Sequence, residues 1–219
     1  GQTRLLTDVL GSVFPNAGTN TKGLLLIFAA DPSGWDPDPN LAVTSRTYNN
    51  ADPNRTYGQT VPSVSSPVGY MVWGAGKAVL PGVRQDSRFR TNIGVVNLSS
   101  IISPNPPRLR VKLRIFGPSG APVREVTKEV EALSLRQWGL PDLGVNSLAV
   151  GRVEVSVDSS DPLFERCQIR RDVQNLGALF LAYYSKVDNA TGDAEFGFGQ
   201  VDWSEYQSCP EPPSGDPCK

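Results

Sequence analysis

Residues 108–116 read Arg-Leu-Arg-Val-Lys-Leu-Arg-Ile-Phe and alternate without a slip. Leu109, Val111, Leu113 and Ile115 fall on one side, and Arg108, Arg110, Lys112 and Arg114 on the other. A period of two is the repeat of an extended strand with one face in a core and the other in water. Gly117-Pro-Ser-Gly120 then closes the strand as a turn. Residues 123–135 return with a looser alternation at Val126, Val130, Leu133 and Leu135. Strand, turn, strand is an antiparallel pattern, and antiparallel sheets with one apolar face pack as sandwiches.

The stretch before it, residues 87–97, follows the same rule. Phe89, Ile93 and Val95 lie on one face, with Arg88, Arg90, Asn92 and Gly94 between them. Asp86 and Ser87 before it, and residues 97–100 after it, are turn formers. The 21 glycines and 19 prolines suit many short strands joined by turns better than long helices. The expected fold is all-β, built from antiparallel β-sandwich modules.

Composition excludes several functions. The net charge is −1, so no bulk field draws the chain to nucleic acid or an anionic membrane. The longest apolar run, residues 23–30, is strand length and far below the ~18 residues of a membrane span. There is no histidine, which removes Ser–His and Cys–His nucleophiles and the commonest zinc ligand together. Chemistry by Asp/Glu, Lys or Tyr remains open, but no motif supports it. The expectation is a non-enzyme without a cofactor.

The 3 cysteines are Cys167, Cys209 and Cys218. Cys209 and Cys218 bracket a Pro-rich tail and are expected to form a small disulfide loop. Pairing through Cys167 is the alternative, since connectivity cannot be read from spacing. Either bond implies an oxidising compartment, whereas three free thiols would fit a cytosolic protein. Gly1 in place of an initiator Met suggests a processed or excised chain.

Two acidic loops invite a metal reading. Asp36, Asp38 and Asn40 alternate in Asp-Pro-Asp-Pro-Asn and could share a calcium ion through oxygen ligands. The glycine and terminal glutamate of a complete calcium loop are missing, so a plain acidic turn competes with that reading. Asp188-Asn-Ala-Thr-Gly-Asp193 reads equally well as a hairpin turn. Gly74-Ala-Gly-Lys77 fails as a phosphate loop, with Met71 and Ala78 where glycine and a hydroxyl are needed. Asn54, Asn97 and Asn189 open glycosylation triplets, which are frequent by chance. The cationic face of residues 108–114 could hold a polyanion, but pairing with Glu125, Glu129 and Glu131 on the next strand is the simpler expectation. Trp35, Trp73, Trp138 and Trp203 are scattered as core or junction residues are.

An internal repeat is expected. Ala42-Val-Thr-Ser-Arg-Thr-Tyr-Asn49 and Ala182-Tyr-Tyr-Ser-Lys-Val-Asp-Asn189 share Ala, Ser, a cation and Asn at equal spacing. Gly-led strands at residues 23–28 and 151–157 precede them, and Leu-Thr-Asp or Leu-Pro-Asp comes earlier still. The second copy has strands upstream that the first lacks. The expected division is therefore residues 1–80 as an N-terminally incomplete sandwich with its linker, residues 81–205 as a complete one, and residues 206–219 as a Pro-rich tail. Residues 71–80 are expected to give a short strand at the end of the linker.

Ser45-Arg-Thr-Tyr-Asn49, Thr56-Tyr-Gly-Gln-x-x-Pro62, residues 89–97 and Val187-Asp-Asn-Ala-Thr-Gly-Asp193 together resemble a family of paired, Ig-like β-sandwich modules. These occur in large secreted bacterial proteins, some beside peptidase domains. The resemblance covers most of residues 5–200. It implies a secreted or cell-surface, non-catalytic module. The expected function is an extracellular structural or assembly protein whose partners are other subunits or a cleaved upstream segment, giving an oligomer or polymer. A carbohydrate- or calcium-binding accessory module of a secreted hydrolase is the alternative.

Overall fold

The computed structural model describes residues 3–16, 18, 23, 25, 27, 42–49, 57–64, 71–73, 76–99, 108–161 and 178–202. The strands are β1 Thr44–Asn49, β2 Tyr57–Pro62, β3 Met71–Trp73, β4 Lys77–Gln85, β5 Phe89–Asn97 and β6 Leu109–Phe116. They continue as β7 Pro122–Val130, β8 Leu135–Gly139, β9 Leu148–Val157, β10 Leu179–Asp188, β11 Ala194–Phe198 and β12 Gln200–Asp202. One short helix, α1 Val9–Val13, and a 3-10 turn at Pro141–Leu143 complete the described elements.

The strands form two five-stranded antiparallel sheets and a separate two-stranded one. The first large sheet runs β11-β10-β5-β8, with β3 pairing β10 beyond the end of β11. The second runs β12-β4-β9-β6-β7. Their facing sides share one core, in which Leu80, Leu109, Leu113, Ile115 and Val155 meet Ile93, Val95 and Phe180. Each such side chain contributes about 1.5–3 kcal/mol by leaving water. The sheet order and this shared core make the molecule an all-β sandwich, as the alternation requires.

β6 carries its inward residues at alternate positions, as read from sequence. Its outward cations pair across the sheet. Arg110 sits opposite Glu129, and Arg114 opposite Glu125. Arg108 lies 3.0 Å from Glu131, Arg110 3.2 Å from Glu129, and Lys112 3.4 Å from Glu125. Glu154 on β9 takes Arg114 at 2.9 Å and Arg152 at 3.2 Å, with Lys77 of β4 at 3.6 Å. The face is a neutralised lattice of ion pairs.

Several boundaries differ from those expected. β4 runs through residue 80, where a boundary was expected, and its Ala78, Leu80 and Val83 belong to the core. Its register shifts between Pro81 and Val83, where Gly82 takes φ 68. The return strand after β6 ends at Val130. Leu133 then turns the chain with φ 47 and lies exposed, so β8 begins afresh at Leu135. Gly23, Leu25 and Ile27, the described residues of the expected Gly-led strand, are not in a strand.

The repeat is not confirmed. β1 and β10 are both strands followed by an antiparallel partner, yet among the described residues β1 pairs with β2 alone, whereas β10 pairs with β5, β11 and β3. Ala182 and Ser185 are buried, while Ala42 and Ser45 are exposed.

Candidate interaction surface

Among the residues of 3–64 whose burial is described, none is fully buried. Helix α1 shows why this matters. Asp8 caps it from a left-handed conformation, its carboxylate accepting the Gly11 amide at 3.1 Å. A side chain at Gly11 would strike that carboxylate, at 2.3 Å. Ser12 donates its hydroxyl back to Asp8 O at 2.8 Å. The turn is thus tied by local polar bonds alone, and no residue of it is buried. Leu10 and Val13 lie on this turn, Phe14 follows it, and Leu6 precedes the left-handed Asp8. Leu5 is 86% exposed, Leu6 56% and Phe14 45%. Leu25 and Ile27 are exposed to a similar degree.

The β1–β2 hairpin is held in the same local way. Its register runs from Thr44 opposite Pro62 to Asn49 opposite Tyr57. Ser45 Oγ donates to Val61 O at 2.8 Å, and Ser63 Oγ to Val43 O at 2.6 Å. Gly58 leaves room for the Arg46 guanidinium, whose Nε would lie 2.8 Å from a Cβ there. A two-stranded sheet alone is at best marginally stable in water. Ordering its backbone costs about 1–2 kcal/mol per residue, and none of its side chains whose burial is described is fully buried to offset that cost.

The hairpin meets the sandwich where β2 lies beside β11, and it bonds to Ser185 of β10. Gln59 Nε2 donates to Ser185 Oγ at 3.1 Å, and that hydroxyl donates back to Gln59 Oε1 at 3.2 Å. Ser185 belongs to the outer face of the first large sheet. Along that face Val96, Leu98, Leu179, Leu181 and Tyr183 form a second buried cluster, flanked by Phe196 and Phe198. Tyr183 stacks on Phe196 at 4.9 Å. Burial pushes its phenol up to about 12.

The other sites read from sequence fall out as follows. Asp36, Asp38, Asn40, Cys167, Cys209 and Cys218 lie outside the described residues, as do Asn54, Trp35 and Trp203. The turn at residues 188–193 is a hairpin turn with Gly192 at φ 78. Asp188 Oδ1 accepts the Ala190 amide at 2.8 Å, and its Oδ2 accepts from Arg88 at 3.1 Å. The Ala190 amide and then Arg88 hold this carboxyl below its usual range. Asn97 is fully buried, its amide donating to Val130 O at 3.1 Å, which closes it to a glycan in the folded chain. Trp138 packs partly buried against the main core. Among the described residues no group of three or more His, Cys, Asp or Glu is placed to hold a metal ion. No described helix is long and apolar enough to cross a membrane.

Comparison with protein-family models, curated proteins and solved structures finds no match to this chain.

Proposed function

We propose that this chain is a non-catalytic structural or assembly protein of the cell exterior, working through protein–protein contacts made by its N-terminal region. One observation carries the reading: no residue of 3–64 whose burial is described is fully buried, while the described residues of 76–202 form a sandwich around one core. A hairpin and a short helical turn gain stability by covering an apolar face, and an exposed apolar surface is a docking element. Strands or side chains from another subunit, or from a segment upstream of this chain, supply that cover. Secretion is part of the proposal. It is supported by the resemblance to modules of secreted bacterial proteins and by the three cysteines.

The test replaces Leu6, Leu10 and Phe14 together by serine and follows thermal unfolding of the monomeric chain. The reading expects an unchanged midpoint, because these side chains belong to neither described core cluster. A midpoint lowered by several degrees would show that these residues pack onto their own sandwich and would overturn the reading.

A further inference from the structure

We propose that β11 and β12 form a releasable strap: tension along the chain peels them from the sandwich, starting at Lys77 and Asp202, before the core yields. The inference goes beyond the assembly reading and concerns residues 77–202 alone. β4 opens the sandwich at Lys77 and β12 ends it at Asp202, and these two residues stand directly opposite in an antiparallel pair. The chain therefore enters and leaves the sandwich at one point. The bonds of an antiparallel ladder run across the strands. Tension between the flanking segments pulls along those bonds and loads them one after another, as a zipper opens, rather than together as in shear.

The hold at that point is short. β12 sets Gln200 against Val79, Val201 against Ala78 and Asp202 against Lys77. Lys77 Nζ lies 3.5 Å from Asp202 and 3.6 Å from Glu154. The Asp202 side chain is 35% exposed, so water screens its share of the clasp. Gly199 donates its amide to Ala182 O at 2.8 Å and carries the chain from β12 to β11 in the other sheet. Among the described residues β11 has β10 as its one ladder partner, from Phe198 opposite Tyr183 to Ala194 opposite Val187, and β2 lies beside it without a ladder. The pull reaches β11 at Phe198, so β11 peels in the same geometry.

The peel stops where strands are held on both sides. β4 stays on β9, and β10 stays on β5 from Phe180 opposite Asn97 to Asp188 opposite Phe89. At the turn before β11, Asp188 accepts from Arg88 at 3.1 Å, and the Asn189 amide donates to Arg88 O at 2.7 Å. Release therefore frees residues 194–202. It exposes the β10 edge along residues 183–187 and unstacks Phe196 from Tyr183. That stack, with Glu195 paired to Lys186 at 2.8 Å, draws the strap back when tension falls.

The test stretches the full chain from its two ends in an optical trap. The expected trace shows an early, reversible lengthening of about 30 Å, the extended length of residues 194–202, ahead of the larger rupture of the core. Asp202→Lys sets two cations opposite each other and should speed this early step about fivefold at a fixed force, with the thermal midpoint of the sandwich unchanged. Ile115→Val, in the core, should lower that midpoint and ease the core rupture while leaving the early step as it was. Rupture in a single step, or an early step indifferent to Asp202→Lys, would overturn the strap. A midpoint lowered by Asp202→Lys as far as by Ile115→Val would make strap and core one cooperative unit and would overturn it equally.

Discussion

Gln59 and Ser185 share a two-way hydrogen bond, 3.1 Å in one direction and 3.2 Å in the other, that joins the N-terminal hairpin to the central strand of the sandwich. It is a polar tether between a hairpin whose described side chains are exposed or half-buried and a sheet apolar on both faces. The hairpin is held in place by it without being stabilised as core strands are.

Gln59→Ala should therefore act locally. Losing a partly buried hydrogen bond costs about 0.5–1.5 kcal/mol. The expected outcome is faster amide exchange in β1 and β2, with the cooperative unfolding of residues 76–202 shifted little. Exchange rates and a thermal scan on the same sample check both halves.

Gly94 and Tyr183 form a tighter pair. The Tyr183 ring crosses Gly94 so closely that an added Cβ would lie 2.0 Å from a ring carbon. Gly94→Ala must displace the ring and should cost about 1–3 kcal/mol in denaturant unfolding. In the Tyr183→Ala background the same substitution should cost much less, because the clash has gone. Such non-additivity is the signature of direct contact.

Asn97 is buried and bonded at both ends of its amide, to Val130 O at 3.1 Å and from the Ser99 amide at 3.0 Å. Asn97→Ala leaves those backbone groups without this partner in a dry site. The expected loss is about 2–3 kcal/mol, read from the denaturation midpoint.

The pH profile should fall at both ends. Asp188 is held below its usual 3.8 by the Ala190 amide and by Arg88, and Asp86 by the Phe89 amide and by Arg84. The unfolded chain protonates these groups first as pH drops. Their stabilisation is present above 3.8 and is lost as pH falls through the lower folded values. Tyr183 and Tyr184 are raised by burial from 10.0 to about 12, with Glu195 adding to the effect at Tyr184. Here the unfolded chain ionises first as pH rises, so stability present below 10.0 is lost on the way to about 12. Unfolding midpoints across the two ranges, with tyrosinate absorbance in the alkaline one, check the profile.

Legibility in the sequence followed the physical environment of each strand. β6 was legible because its faces meet opposite media, the core and a charged lattice. β10 offers no such alternation through residues 179–184, which are buried on both faces. β4 hid its three core residues behind the register shift at Gly82, which breaks the period, and behind Pro81, which reads as a breaker. The return strand looked too long because nothing in the string marks Leu133 as taking a left-handed turn. The likeness of residues 42–49 to 182–189 reflects shared strand and turn residue types rather than equal places in a sheet. In the candidate interaction surface, Leu6, Leu10, Val13 and Phe14 are written in the sequence as apolar residues. Whether they are covered depends on tertiary packing, which composition does not carry.

The central claim is that the N-terminal region is ordered by a partner rather than by its own sandwich. Amide exchange of β1 beside β5, in one sample at a concentration where the chain is monomeric, tests it most directly. The account predicts β1 amides exchanging close to the rate of an unfolded chain and β5 amides exchanging only through global unfolding, with β1 gaining protection as concentration rises or a partner is added. Protection of β1 equal to that of β5 in the dilute monomer would contradict it.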